Sequence, residues 1–404
     1  MLSADRAHIE VFNDIRPAVS RDCKTRYVSK LERRWRDATG RANAMACRSG
    51  TVALRLAIAS LELEAGDEVI CPADAGHLVR ALSHDDIVAV PVDLDPKTHH
   101  IDPAAVDAAI GDRTRAVIAV DKYGSTANYR VLTAIGRRSQ IAVIEDGSQS
   151  LGAEFDHRPV GSLGDISIYS LHGDAGSALG IGGLYATDDD RLAAIARRSL
   201  LVISESRNVG GAMAPIPEQP SIERDLFPLS NSVCQLSELD AVVGDAQLRR
   251  IGDESLVRAE NGIHLRGRLS AVPGILVPEA ERGSTHVYSS LPLVVVPDEL
   301  GLAETVAHAL RDVVVDTLVA EGLEIDRWRP EPGPGWGAAT GCMPVVEDLS
   351  FSGLVVGQKR SPFGPPHTIE TMERIAECFF KVFVDNVDRL RQLTLERFHS
   401  RAMT

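Results

Sequence analysis

The stretch from 141 to 155, IAVIEDGSQSLGAEF, contains the pattern that decides the fold. It begins with an apolar run that ends at Asp146 and Gly147, which is typical of a short buried strand followed by a turn. Similar runs lie on both sides along the chain, separated by helix-like segments: EVICP, IVAVPVDL, RAVIAVD, DISIYSL and GGLYAT. This alternation predicts an α/β protein with a mainly parallel sheet and helices on both faces.

The segment at 49–63, SGTVALRLAIASLEL, shows a different periodicity. Its apolar residues recur at helical spacing, and Ser49, Gly50 and Thr51 are the small residues expected at a helix start. The free N–H groups and the positive dipole end of a helix favour a phosphate, so Gly50 and Thr51 are candidate phosphate-binding residues. A plain helix cap without a ligand explains the same residues, and the pattern leaves both interpretations open.

Two further candidates stand where predicted strands end. In open parallel sheets, ligands bind beyond the carboxyl ends of the strands, and Asp146 and Ser170 occupy such positions. Asp146 could instead cap a following helix, and Ser170 could be an ordinary strand-end hydroxyl. The adjacent His99 and His100 lie in a turn-like stretch, PKTHHIDP, which favours a solvated loop over a metal site.

The second half of the chain predicts a separate unit. Residues 205–230 are rich in Gly and Pro without periodicity, which is typical of an active-site or interface loop. A long helix is predicted over 237–269, followed by a strand in VYSSLPLVVV and by helices in AETVAHALRDVVVDTLVAEG and, over 368–394, in TIETMERIAECFFKVFVDNVDRLRQLT. We therefore predict a large domain over 1–250 and a smaller C-terminal α+β domain over 251–404.

The composition argues against several classes of protein. The 404 residues carry a net charge of −14, and Lys and Arg are scattered, so no nucleic-acid partner is expected. No run of about 18 apolar residues and no signal-peptide pattern occurs, which predicts a cytoplasmic protein without membrane contact. Six cysteines lie far apart and are interpreted as reduced thiols, without a metal site: Cys23, Cys47, Cys71, Cys234, Cys342 and Cys378.

Eight segments of the chain carry a family resemblance: SGTVALRLAI, AGDEVICP, PVDLDPKTHHID, DKYG, VIEDGSQSLGAEF, VGSLGDISIYSLH, SELDAVVGDAQLRRI and the segment that begins SPFGPPHT. In this order and spacing they resemble the DegT/StrS-type family of pyridoxal-phosphate (PLP)-dependent sugar aminotransferases and dehydratases. The resemblance implies the fold of fold-type-I PLP enzymes and action as a dimer. It also implies a keto-sugar or cyclitol substrate in a biosynthetic pathway, such as those of secondary metabolism.

The same resemblance implies roles for individual residues of this chain. Gly50, Thr51 and Ser170 match the family's phosphate-binding residues. Asp146 matches the carboxylate that pairs with the pyridine nitrogen and keeps it protonated, so that the ring can accept electrons. Gln149 matches the glutamine near the phenolic oxygen of the ring.

The resemblance fails at the lysine that forms the Schiff base. Family members read S-F-H-x-T-K before a Gly-rich turn, whereas this chain reads SLHGDAG at 170–176, with Ala175 at the lysine position. A methyl group neither forms an imine nor moves a proton. Some relatives that remove a sugar hydroxyl carry His at this position, and His172 is the nearest histidine here, although a structural histidine of the motif is the interpretation we favour.

Other departures accompany the missing lysine. Gly76 stands at the position of the family's ring-stacking aromatic, and His77 is the candidate to take over the stacking. Ile181 replaces the acidic residue of G-E-G-G, and Val233 and Gln235 replace an Asn and an Arg of the family pattern. Several losses at one site indicate divergence from aminotransferase chemistry.

The remaining lysines offer no obvious replacement. Lys122, in the stretch DKYG, lies at a strand end and is the best placed of them. A remote amine must still reach the reacting carbon of the cofactor in a near-attack geometry, so the sequence does not predict a substitute.

Three functions are consistent with these observations. The first is an enzyme that binds PLP or its amine form, pyridoxamine phosphate (PMP), and uses dehydratase-like or other lysine-independent chemistry, with His172 or His77 handling protons. The second is an inactive structural or regulatory subunit, paired with itself or with an active paralogue. The third is a binding protein without PLP whose pocket takes another phosphate-bearing ligand. We favour the first, because a phosphate site and a partner for the ring nitrogen are both retained.

Overall fold

The computed structural model describes residues 26–83, 86–171, 182–205, 234–330, 343–358 and 361–402. The first part of the chain forms α1 (Arg26–Thr39), β1 (Asn43–Cys47), α2 (Gly50–Ser60), β2 (Glu68–Pro72), α3 (Gly76–Ser83), β3 (Val88–Val92), α4 (Pro103–Ala109), β4 (Thr114–Val120), α5 (Tyr129–Ser139), β5 (Ala142–Asp146), β6 (Glu154–Phe155), β7 (Arg158–Pro159), β8 (Ile166–Ser170), β9 (Gly183–Thr187) and α6 (Asp190–Glu205).

The second part of the chain begins with a helix of 32 residues. It contains α7 (Glu238–Leu269), β10 (Ile275–Leu276), β11 (Leu291–Val295), α8 (Ala307–Ala320), β12 (Ile325–Arg327), α9 (Pro344–Ser352), β13 (Gly353–Val356), α10 (Ile369–Phe380) and α11 (Val387–Ala402). Short 3-10 turns cover Pro297–Leu300 and Glu304–Val306, and a π-helical segment covers Lys381–Asp385.

The large sheet has seven strands in the order β1-β9-β8-β5-β4-β2-β3. Strands β3, β2, β4, β5 and β8 are mutually parallel, and β9 runs antiparallel between β8 and β1. The predicted, mainly parallel sheet is thus confirmed. Strand β1 was missed, because its sequence NAMAC has small residues and no β-branched one, so it lacks the usual strand signal.

Helices cover both faces of this sheet, as predicted. Along β4, Ile118 and Val120 join a core with residues of α2, α3 and α6, whereas Val117 and Ala119 join a second core with residues of α4 and α5. Because successive side chains of a strand point to opposite faces, the unbroken apolar run in β4 has a helix layer on each side. This explains why its sequence does not alternate between apolar and polar.

The strand register aligns the carboxyl ends of the central strands. Val120 of β4 pairs with Asp146 of β5, which pairs in turn with Ile168 of β8. At the end of β8, Ser170 pairs with Gly183 of β9, and Gly183 pairs with Cys47 of β1. The loop that leads from β1 into α2 therefore starts beside the end of β8.

Helix α7 connects the two units of the chain. Ala241 and Val242 near its start pack with the large sheet, and Leu265 and Leu269 near its end belong to the core of the second unit. The boundary expected at 250/251 falls inside this continuous helix. The second unit is an antiparallel sheet, β10-β11-β13-β12, packed against α8, α10 and α11.

Two details of the second unit differ from the sequence prediction. The strand expected in VYSSLPLVVV is limited to Leu291–Val295, because Tyr288 has a positive φ of 46° that interrupts an extended chain. The apolar pattern over 368–394 is divided by the π-helical segment into α10 and α11. Within the described residues, no helix is long and apolar enough to span a membrane.

Candidate active site

The start of α2 and the end of β8 meet at one place. The side chain of Ser49 accepts a hydrogen bond from Val52 N at 3.2 Å, so Ser49 is the N-cap and the helix begins at Gly50, as predicted. A Cβ atom on Gly50 would lie 2.8 Å from Ser170 Cβ and 3.2 Å from Ser170 Oγ. Only glycine leaves this gap, because a Cβ–Cβ contact of that length is a steric clash. Thr51, the next residue, is exposed.

Asp146 is linked to this place by one serine. The carboxylate is 6% exposed, and its Oδ1 accepts hydrogen bonds from Ser148 N at 3.1 Å and Ser148 Oγ at 2.5 Å. Ser148 Oγ in turn accepts from Ser170 N at 3.0 Å. Gly50, Ser170 and Asp146 therefore lie at one edge of the sheet, joined through Ser148. The sequence analysis missed Ser148, although it stands between two candidate residues in the stretch DGSQ.

An ion pair occupies the adjacent part of the same edge. Lys122 follows β4 and Asp74 follows β2, and Lys122 Nζ forms a close salt bridge with Asp74 Oδ1. Both side chains are almost fully buried, with 7% and 6% exposed. Asp74 was not singled out from sequence, because a lone Asp after a strand gives no signal until its partner is known.

The backbone around Lys122 connects to a predicted site residue. Tyr123 N donates to Gln149 Oε1 at 3.3 Å, and Lys122 N donates to His100 Nε2 at 3.3 Å. Tyr123 OH accepts from the indole N–H of Trp328, in the second unit, at 2.8 Å. Gln149 is thereby brought to the sheet edge, and the second unit touches the site.

Burial dominates the electrostatics near the ion pair. The pKa of His100 is lowered to about 4, first by burial and second by the charge of Lys122. The pKa of His99 is also lowered to about 4 for the same two reasons. Both rings are buried rather than solvated, which corrects the interpretation of PKTHHIDP as a solvated loop. These histidines are neutral near pH 7.

Two buried carboxylates behind the edge hold the backbone in place. Glu145 accepts hydrogen bonds from the backbone N–H groups of Gly161, Leu163 and Gly164, and burial raises its pKa. Asp121 accepts from Ala127 N at 2.9 Å, and its pKa is also raised, by burial and then by Glu145. These contacts fix the loops near the edge.

The remaining predicted residues fall into two groups. His77 is exposed in the first turn of α3. Gln235 is also exposed, and its backbone forms an isolated antiparallel β-bridge with Cys47. The positions of His172, Ala175, Ile181 and Val233 lie outside the described residues, as does most of the loop expected at 205–230. Among the described residues, no cluster of three or more His, Cys, Asp or Glu side chains could hold a metal ion.

Comparisons with known proteins identify the family of this chain. The chain matches the DegT/DnrJ/EryC1/StrS aminotransferase family over residues 13–326. It is 32% identical over 303 residues to GDP-perosamine synthase of Caulobacter vibrioides, covering 74% of this chain and 75% of that protein. It is 35% identical over 279 residues to L-glutamine:scyllo-inosose aminotransferase of Streptomyces griseus, covering 68% and 64% of the two chains.

A solved structure shows the same fold. The E. coli GDP-4-keto-6-deoxy-D-mannose-3-dehydratase, solved with bound hydrated PLP, superposes with a TM-score of 0.74 at 21% identity. The superposition covers 91% of this chain and 94% of that one. From the family match and the relatives that are more than 30% identical, we conclude that this chain belongs to the DegT/DnrJ/EryC1/StrS aminotransferase family.

Proposed function

We propose that this chain binds PLP or PMP and modifies a keto-sugar or cyclitol in a biosynthetic pathway, by dehydratase-like or other chemistry that uses no lysine at position 175. The observation that carries the proposal is the connected set of Gly50, Ser170, Ser148 and Asp146. The relatives named as a perosamine synthase and a scyllo-inosose aminotransferase support the substrate class. The dehydratase with bound PLP supports the cofactor.

The described residues fit the cofactor at both of its ends. The gap left by the missing Cβ of Gly50 lies against the Ser170 hydroxyl and at the start of an 11-residue helix, where backbone N–H groups favour a phosphate. Asp146 supplies a buried carboxylate at the same edge, and its hydrogen bonds from Ser148 fix its orientation. These two features suit a ligand with a phosphate and a cationic ring nitrogen, which PLP and PMP share.

Different residues of this chain would bind different parts of the cofactor. When bound, the cofactor supplies a ring that accepts electrons from the reacting carbon. Gly50, Thr51 and Ser170 would hold the phosphate, and Asp146 would hold the ring nitrogen in its protonated state. Gln149, fixed by Tyr123 N, would face the phenolic oxygen, and His77 would cover the ring.

His172 and His77 are the candidates for the proton-transfer group. Position 175 contributes a methyl group only, and this excludes it from proton transfer. The alternative function is an inactive subunit of an active paralogue. It would explain the loss of the family residues at positions 76, 175, 233 and 235 without assigning a new proton carrier.

Binding of the cofactor tests the proposal directly. Equilibrium dialysis of the purified protein with PLP and with PMP is expected to show one bound molecule per chain. Ala175→Lys should in addition hold PLP covalently at residue 175, detected by borohydride reduction and peptide mass mapping. Absence of binding by both forms, in a folded protein, would favour the inactive-subunit alternative or a different ligand.

We further propose that the protein is cytoplasmic and acts as a homodimer or as a heterodimer with a paralogue. Family membership supports dimer formation, and the Gly- and Pro-rich composition of 205–230 suits a loop covered by a partner chain. Light scattering at micromolar concentration should report twice the mass of the 43.5 kDa chain. A monomer would contradict the homodimer.

A further inference from the structure

The position of Lys122 in the sheet brings its amine to the same carboxyl edge as the predicted ring site. Strand β4 lies between β2 and β5, so the residues that follow β4 border both neighbours. Asp121 N donates to the carbonyl oxygen of Asp146 at 2.9 Å. Lys122 is the next residue, and its side chain turns to Asp74 after β2. The amine therefore lies at the same carboxyl edge as Asp146.

Stability alone does not account for the Lys122–Asp74 pair. Removing two charges from water costs free energy that their attraction often fails to recover, and apolar replacements of buried pairs are frequently neutral or stabilising. The exposed fractions of 7% and 6% place this pair in that class. The carboxylate beside this buried amine is a group that can take its proton, which a reaction with an aldehyde requires.

The backbone holds Lys122 in a defined place. Lys122 N donates to His100 Nε2, and the Lys122 carbonyl accepts from Ser125 N at 2.9 Å. Gly124, with φ of 96°, packs so closely on the second unit that a Cβ would lie 2.5 Å from Tyr288 N. These contacts fix the backbone of the turn and therefore the position of the Lys122 Cα, and a reactive amine needs such positioning.

The other described lysines lie elsewhere. Lys30 pairs with Asp245 between α1 and α7 at 3.2 Å, and Lys381 pairs with Glu321 in the second unit at 2.7 Å. Lys97 is exposed in a turn. Among the residues that the structure describes, Lys122 is thus the lysine at the edge with Asp146 and Ser170.

We propose that Lys122 supplies the amine that position 175 lacks, and that it forms an imine with the aldehyde carbon of PLP. This inference rests on the proposed function, because it requires PLP at the sheet edge. In PLP the aldehyde is attached beside the carbon that bears the phenolic oxygen. Gln149, the residue predicted to face that oxygen, is bound by Tyr123, the neighbour of Lys122.

Asp74 completes the chemistry of this step. The Lys122 ammonium gives one proton to the Asp74 carboxylate, and the free amine adds to the aldehyde carbon. Asp74 returns that proton to the former aldehyde oxygen, which leaves as water with a second hydrogen from the nitrogen. A C=N bond replaces the C=O bond, the nitrogen keeps one hydrogen, and no oxidant or reductant is required.

Borohydride trapping tests the inference without relying on activity. The full chain is incubated with PLP, reduced with borohydride, digested and mapped by mass spectrometry. We expect stoichiometric pyridoxyl label on the Lys122 peptide and its loss in Lys122→Arg, which keeps the charge next to Asp74 but forms no imine. Lys30→Arg, which changes another lysine paired with a buried Asp, should keep the label on Lys122.

Four results would overturn the inference. Label on another lysine, or label on Lys122 no greater than on exposed Lys97, would show that the amine does not face the aldehyde. Binding of PMP in dialysis without any PLP adduct would reject the role of Lys122 and leave the proposed function intact. Failure to bind either PLP or PMP would reject both.

Discussion

The carboxyl edge of the large sheet has two halves that are built differently. The first half, called the binding half, consists of Gly50, Ser148, Ser170 and Asp146. Gly50 packs closely on Ser170, and hydrogen bonds join Ser170 to Ser148 and Ser148 to the Asp146 carboxylate. In the second, the ion-pair half, Asp74 and Lys122 form a buried salt bridge beside His100. The binding half keeps the residues of the family pattern. The difference shows that the candidate cofactor-binding residues are held together by hydrogen bonds, whereas the adjoining part of the edge contains a buried pair of opposite charges.

Breaking the ion-pair half should have the largest effect on stability. Lys122→Met leaves the Asp74 carboxylate buried without a partner, which is expected to lower the free energy of unfolding by about 3–5 kcal/mol. Urea denaturation followed by circular dichroism measures this change. The double variant Asp74→Leu/Lys122→Met is the control, because it removes both charges and should unfold close to the wild type. Equal losses in the single and double variants would contradict the assignment of the effect to an unpaired charge.

Removing the charge of Asp146 in the binding half should instead weaken the binding of PMP. Asp146→Asn keeps the shape of the side chain and a carbonyl oxygen for Ser148 but removes the charge that we propose faces the ring nitrogen. A hydrogen bond to a charged group contributes about 1.5–3 kcal/mol, so the affinity for PMP should fall roughly tenfold to a hundredfold. Equilibrium dialysis measures it, with exposed Asp156→Asn as the matched control. Unchanged affinity would remove Asp146 from the binding half.

The stability of the folded protein should also depend on pH through His100, which lies in the ion-pair half. Its pKa in the folded protein is lowered to about 4, whereas an unfolded chain takes up the proton near pH 6.5, so stability falls as the pH drops from about 6.5 to 4. His100→Gln removes this proton uptake and should flatten the profile by up to about 1.4 kcal/mol per pH unit. Thermal unfolding at pH 7 and pH 5 tests it. Exposed His399→Gln should leave the profile as in the wild type, and an equally steep profile in His100→Gln would refute the prediction.

A methyl group tests the gap between α2 and β8. Gly50→Ala places a Cβ 2.8 Å from that of Ser170, which should narrow the phosphate site and reduce affinity for PMP about tenfold, or about 1.4 kcal/mol. Gly252→Ala is the control, since a Cβ there meets no atom within 4 Å. Affinity unaffected by Gly50→Ala would mean that the phosphate binds elsewhere.

Much of the binding half could be predicted from the sequence because its signals are local. Ser49 and Gly50 open a helix by capping chemistry, and Asp146 and Ser170 end apolar runs that can only be buried strands. Parallel pairing then places strand ends at one edge whatever the loops between them do. Ser148 could not be assigned, because its role is to join two strands, and that depends on their register.

Lys122 was noted from the sequence as a lysine at a strand end, but its pairing with Asp74 could not be predicted, since the two residues are far apart in sequence. Asp74 and Lys122 are separated by two strands and two helices, and each alone resembles an ordinary polar residue after a strand. His99 and His100 were expected in a solvated loop, yet the second unit and the turn at Lys122 bury them. Burial by distant segments has no signature in a short window of sequence.

Family and α/β architecture followed from the sequence alone, and so did the candidate residues proposed for the cofactor, because strand periodicity, helix capping and ordered motifs are properties of local segments. Tertiary structure decided which of those residues touch: the sheet order sets β4 between β2 and β5, and the register aligns their ends. Only that arrangement brings Lys122 to Asp74 and both to the edge that carries Asp146, because contacts between strands depend on long-range pairing and not on the residues that flank each one.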